Sequence, residues 1–98
     1  MLSRYLLQPV MVGPMAARSE KDEPFDRAFG RAVRARRVER GLSQEALSFA
    51  CGRHRTYVSG IERGTSSPTL GTVRMLGRAL GISASELIRR AEADLDEG

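Results

Sequence analysis

Apolar positions recur along this chain in helical steps from residue 25 onward, and in no settled step before it. Phe25, Phe29, Ala32 and Val33 have the spacing that gathers side chains on one face of a helix. Asp22-Glu23-Pro24 just ahead place acids near the positive end of a helix dipole and a proline in the first turn. These predict the start of a first helix that runs to Arg40 and stops at Gly41. Leu42 followed by Ser43 reads as a staple residue and an N-cap, with Leu47 placed to close the staple. A second helix is therefore predicted from Gln44 to Cys51, with Ala46, Leu47 and Ala50 as its small and apolar face. Gly52 ends it, because glycine adopts left-handed backbone without steric cost. A third helix, Arg55 to Arg63, turns Val58 and Ile61 inward and stops at Gly64. A fourth, about Thr69 to Leu80, is expected to bury Leu70, Val73, Leu76 and Leu80 despite the helix-weakening Gly71 and Gly77. Ser83 and Glu86 predict a capping box for the fifth, with Ile82 and Leu87 placed for its staple. The fold class is all-α, with five helices.

Helices two and three, short and joined by a glycine turn, form a helix-turn-helix pattern. Their residues are more particular than their spacing: Gly41-Leu42-Ser43-Gln44-Glu45, Leu47, Ala50, Gly52, Val58-Ser59, Ile61-Glu62 and Gly64. This set resembles the DNA-binding core of the phage repressor/Cro (Xre-type) helix-turn-helix family. Ser67-Pro68-Thr69-Leu70 and Leu80-Gly81-Ile82-Ser83 fit that family's last two helices, so the likeness runs from about Phe25 to Arg90. It implies a five-helix, lambda-repressor-like DNA-binding domain over residues 24–91.

The resemblance also implies roles, position by position. Helix three would enter the major groove, with Arg55 giving a bidentate contact to guanine and Thr56 a hydroxyl bond or a methyl contact to thymine. Ser59, one turn on, is the third position that the resemblance places among the base readers. Gln44 matches a glutamine that meets phosphate, at a helix start whose free N–H groups also attract anions. Arg63 matches a position that contacts backbone phosphate. Tyr57 either touches phosphate or packs laterally. Arg37 and Glu62 match a buried pair that ties helix one to the reading helix; the alternative is two unpaired surface charges. Two departures stand out. Gly60 replaces a long base-reading side chain common in relatives, and Thr65-Ser66-Ser67 lacks their basic residues, although hydroxyls such as that of Ser66 still bond phosphate. His54 falls at the N-cap of helix three, where Ser or Asn would serve better.

Charge agrees with a polyanion partner. Residues 1–24 balance to zero, whereas residues 25–85 hold eleven Arg against Asp26, Glu39, Glu45 and Glu62. Most of the helix-one arginines are expected to be solvated or to attract the DNA backbone. The segment 92–98 reads as an acidic, solvated tail. A single Cys permits no internal disulfide and fits a reducing, cytoplasmic setting; Cys51 reads as a core filler without chemistry. One His and one Cys do not make a usual zinc site, and neither a catalytic constellation nor a cofactor motif is present. No apolar run is long enough to span a bilayer, and few aromatics argue against single-strand binding.

Residues 1–23 read as a flexible leader, with Met15 as an alternative start; an arm that packs on a partner and a faint secretory signal are the other readings. The surplus apolar surface at Leu87 and Ile88 serves either a twofold dimer contact, as the family implies, or packing on helix one. The leading expectation is a homodimeric transcriptional regulator, acting as repressor or autoregulator at a pseudo-palindromic operator in double-stranded DNA. The alternatives are an antitoxin with a toxin partner, a restriction-modification controller, or a protein-interaction module that binds no DNA.

Overall fold

A computed structural model describes residues 23–97, and all regular structure among them is helical. In chain order, α1 is Glu23–Glu39, α2 Gln44–Cys51, α3 Arg55–Arg63, α4 Leu70–Leu80 and α5 Ala84–Glu97. The leader expected over 1–23 lies outside the described residues, except for Glu23, which opens α1.

The helix ends follow local chemistry. Ser43 Oγ accepts the Ala46 N–H at 3.0 Å and starts α2. Gly52, at φ 66°, closes α2 with its own N–H turned back on Phe49 and Ser48 carbonyls, which leaves the sharp turn into α3. Thr69 Oγ1 accepts the Thr72 N–H at 3.2 Å at the head of α4. At the head of α5 only half of the expected capping box forms. Ser83 Oγ accepts the Glu86 N–H at 3.0 Å, but the Glu86 carboxylate is drawn instead to Arg89 and Arg90.

One core joins all five helices: Ala28, Phe29 and Val33 of α1, Leu47 of α2, Val58 and Ile61 of α3, Leu76 and Leu80 of α4, and Leu87 and Ala91 of α5. α5 lies along α1, with Leu87 and Ala91 fully buried between them and Ile88 partly so. Of the two uses open to this apolar surface, packing within the chain is the one observed. α1 meets α3 at Gly30, where an added Cβ would stand 2.2 Å from the Ile61 carbonyl oxygen and 2.6 Å from that of Glu62. Only a residue without a side chain admits so close a crossing of two backbones.

Two expectations need correction. Leu70 is 87% exposed, because a side chain at the first position of a helix tilts back off its end and reaches no neighbour. Ala46 and Ala50 are exposed: with eight residues α2 turns a narrow stripe inward, Leu47 and Cys51 one turn apart with Ser48 beside them. The acidic segment is exposed over most of its length and helical. α5 continues through Glu97, and Asp94 accepts from Arg31 Nε at 2.7 Å. Of the helix-one arginines, Arg27, Arg31, Arg34 and Arg40 are exposed, as expected, and two of the six reach a backbone carbonyl of α4. Arg36 Nε and Arg40 Nη1 both donate to the Leu80 carbonyl, at 2.9 and 2.8 Å, where the negative end of α4 attracts cations.

Candidate nucleic-acid interface

α3 has two unlike sides. Val58, Gly60, Ile61 and Glu62 face inward; Arg55, Thr56 and Arg63 are exposed, and Tyr57 and Ser59 are half-buried. The separation follows from helical period, since 58, 61 and 62 share a face that 55, 56, 59 and 63 largely avoid. The exposed side opens beside the start of α2, where Ser43, Gln44, Glu45, Arg37 and Arg55 line one shallow concavity. No other described element covers Arg55 or Thr56.

His54 makes the helix start. With extended backbone, φ −75° and ψ 149°, its Nδ1 accepts the Thr56 N–H at 3.1 Å, and the Thr56 hydroxyl lies against the same nitrogen. An imidazole acceptor thus does the work usually left to Ser, Thr, Asp or Asn. At the other end, Arg63 Nε donates to Ser59 Oγ at 3.3 Å.

Behind this face lies a polar knot. Arg37 Nε and Nη2 donate to the two Glu62 oxygens at 2.6 and 3.0 Å, a fork-on-fork pair, and Arg37 Nη1 donates to the Leu42 carbonyl at 2.8 Å. The hydrogen bond to Glu62 raises the Arg37 pKa, with burial opposing it and the charge of Glu62 adding to it. Gln44 Nε2 completes the knot, donating to Glu62 Oε1 at 3.0 Å. Its amide is therefore held toward the ion pair rather than standing free at the helix start. α1, α2 and α3 meet in these three side chains.

The loop after α3 is held from within. Thr65 Oγ1 donates to the Gly60 carbonyl at 3.2 Å, and Ser67 Oγ donates to buried Asp26 at 2.5 Å. These two hydroxyls serve the fold; Ser66 is half-buried against Gly60. Gly60 itself belongs under this loop and not on the outer face, since a Cβ there would meet Ser66 Oγ at 2.9 Å. Tyr57 packs partly on the core with Arg53 over its ring, 5.7 Å from the centroid, and Arg53 also donates to Thr72 Oγ1 at 3.3 Å. Lateral packing is thus the observed use of this ring. Sequence reading missed the Arg53 bridge and the Asp26–Ser67 tie, because both join residues far apart in the chain. Cys51 is buried, and that burial pushes its thiol pKa up, away from reactive thiolate. Among the described residues no cluster of His, Cys, Asp or Glu could hold a metal ion.

A helix-turn-helix family model matches residues 33–87, more than half of the chain. The chain belongs to the helix-turn-helix family of DNA-binding regulators. Within this family it is similar to the control protein C.BamHI of Bacillus amyloliquefaciens, 43% identical over 61 residues, which are 61% of this chain and 75% of the relative. It is also similar to the cryptic phage CTXphi transcriptional repressor RstR of Vibrio cholerae, 36% identical over 69 residues, 70% of this chain and 62% of the relative. The solved structure of the restriction-modification controller protein C.AhdI from Aeromonas hydrophila superposes with a TM-score of 0.62 at 42% identity. That match covers 63% of this chain and 94% of C.AhdI. The matched helix-turn-helix span contains the capped turn between α2 and α3, the Arg37–Glu62–Gln44 knot and the whole outer face of α3.

Proposed function

We propose that this helix-turn-helix protein is a sequence-specific transcriptional regulator that lays α3 in the major groove of double-stranded DNA and acts as a homodimer. The observation that carries the reading is the first turn of α3: Arg55 and Thr56 stand exposed on a helix whose opposite side is anchored in the core. A guanidinium there suits guanine O6 and N7, the commonest specific major-groove contact. Ser59, one turn on, is the third base-reading position, and Arg63, whose Nε donates to it, suits backbone phosphate, as does Ser66. Gln44 and Tyr57 contribute by position, Gln44 through the helix start it occupies and Tyr57 through its hydroxyl edge. Arg37 and Glu62 touch no DNA; they fix the angle between α1 and α3. Two copies related by a twofold axis would place their α3 helices roughly 34–36 Å apart, on successive turns of a pseudo-palindromic operator. Among the described residues no helix is long and apolar enough to cross a membrane. The regulator so proposed acts as a repressor or autoregulator at DNA in the cytoplasm.

The second reading, a controller of restriction-modification genes, is a special case of the first. Its support is the 43% and 42% identities to C.BamHI and C.AhdI, over 75% and 94% of their lengths. Selection of bound sites from random duplexes tests both. A two-armed motif with inverted half-sites is expected for the parent chain. Arg55→Ala is expected to weaken the best site by about 1–3 kcal/mol and to relax one base column in each half-site. An unchanged motif in the variant would remove Arg55 from the reading face. Equal affinity for every duplex would leave only a general DNA-coating or protein-docking role.

A further inference from the structure

We infer that Arg27 of α1 is a further phosphate-binding residue, which holds the DNA backbone jointly with Arg63 where the start of α1 meets the end of α3. The inference rests on the proposed reading of α3 as the helix that enters the groove, and deepens it. Glu23, Arg27, Arg63, Gly64 and Thr65 line one concavity at this junction. Its α3 wall continues the reading side, since Arg63 is exposed and its Nε donates to Ser59 Oγ at 3.3 Å. Its α1 wall is fixed by Gly64. A Cβ on that glycine would stand 2.6 Å from Arg27 Cγ and 2.7 Å from Arg27 Cα, so the stem of Arg27 lies directly against the stop of α3. The side chain is nonetheless 53% exposed, with its charged end open to a ligand.

Four arginines further along the chain have other partners. Arg36 and Arg40 donate to the Leu80 carbonyl, Arg37 is forked on Glu62, and Arg31 donates to Asp94 of α5. Among the described residues Arg27 has one carboxylate near it: Glu23 Oε1 stands 3.9 Å from Nη1, beyond hydrogen-bond reach, and is itself mostly exposed. A pair of that kind is worth little in water, so a phosphate displaces it at small cost. The Thr65 hydroxyl already donates to the Gly60 carbonyl, which leaves the two guanidiniums as the side-chain donors of the concavity. Their planar forks match phosphate oxygens. The loop 65–67 carries no basic residue, and Arg27 supplies beside it, from a distant part of the chain, the charge that the loop lacks. Such a contact carries no base information. Its signature is affinity lost alike for every sequence, with a weaker response to salt.

The test measures binding of the full chain, across a salt series, to two labelled duplexes of equal length: one enriched by the parent from a random pool and one of unrelated sequence. The chains compared are the parent, Arg27→Gln, Arg27→Lys, Arg31→Gln, Arg63→Gln and Arg55→Ala. Glutamine keeps the Cβ and Cγ that lie against Gly64 and removes the charged end. Arg27→Gln is expected to bind both duplexes several-fold more weakly. It should also flatten the slope of log affinity against log salt by about 0.9 for each copy of the chain bound. Arg27→Lys should recover most of both. Arg31→Gln removes the same unit of charge on the α5 side and should keep the parent slope, which separates a phosphate contact from a change in net charge. An Arg27→Gln slope equal to that of Arg31→Gln overturns the inference. So does a loss confined to the enriched duplex, or a lysine variant no better than the glutamine one. If Arg63→Gln and Arg55→Ala still weaken binding in that case, α3 stands as the reading helix and only Arg27 has failed. A parent that enriches no duplex, or that is unaffected by either substitution on α3, removes the proposed reading, and the inference with it.

Discussion

Two regions of this molecule use the same arginine–carboxylate chemistry in different surroundings. Behind α3, the Arg37 and Glu62 side chains are 12% and 3% exposed, forked together, and tied further to Leu42 and Gln44. Along α1 and α5, Arg31 and Asp94 are 54% and 39% exposed, and Arg89 and Arg90 share Glu86 near the surface. Water and salt screen the second group, so its pairs add little to stability. The first group has left water, and each partner depends on the other to offset that loss. The difference teaches where the chain needs geometry rather than affinity. The buried knot joins the three helices that set the orientation of α3, while the exposed pairs lie along two helices already joined by Leu87 and Ala91.

The sharpest way to break this comparison is Arg37→Ala, which strands Glu62 without its counter-ion. A loss of about 3–5 kcal/mol is expected, read as a lowered urea midpoint. A loss no greater than that of a surface pair would erase the distinction. Gly30→Ala attacks the same junction from the backbone side, since its methyl group would press on the carbonyls of Ile61 and Glu62. A cost of about 1–3 kcal/mol is expected from overpacking, because backbone gives way less readily than a side chain. Arg55→Ala sharpens the contrast from the functional side: its thermal midpoint should match the parent's while its DNA affinity falls. At the exposed end, Arg31→Ala should cost about 0.2–1 kcal/mol, and less as salt is raised.

The smallest effect concerns acid. Arg89 and then Arg90, by hydrogen bonding, lower the Glu86 pKa from 4.5 to about 2. A carboxylate whose pKa is depressed by folding stabilises the native state above its unfolded pKa. That contribution fades as pH falls from 4.5 toward 2. Urea titrations of the parent and of an Arg89→Ala, Arg90→Ala double variant should therefore differ slightly at neutral pH and converge near the lower limit. A gap that widened on acidification would contradict the sign.

Much of the helical framework was legible in the chain, because periodicity and caps are local. Ser43, Gly52, Thr69 and Ser83 act within four residues of themselves, and the inward positions of α3 follow from a 3.6-residue repeat. The helix-turn-helix span was legible for the same reason, with the added particularity of Gln44, Glu62 and Gly64. What stayed illegible joins distant segments or depends on where a helix ends in space. Leu70 has an apolar side chain at a periodic position, yet it projects beyond the neighbours that would bury it. Gly30 carries no mark to distinguish a crossing point from a weak helix position.

By itself, then, the sequence determined five helices, a glycine turn between the second and third, and an outward-facing Arg55 and Thr56, all properties of residues within a turn or two of each other. Tertiary structure decided that Gln44 and Arg37 close on one carboxylate, that α5 packs its apolar stripe on α1, and that Ser67 reaches back to buried Asp26. The reason is physical: a side chain's periodic place comes from its own helix, but its hydrogen-bond partner and its exposure come from whatever the rest of the chain brings beside it.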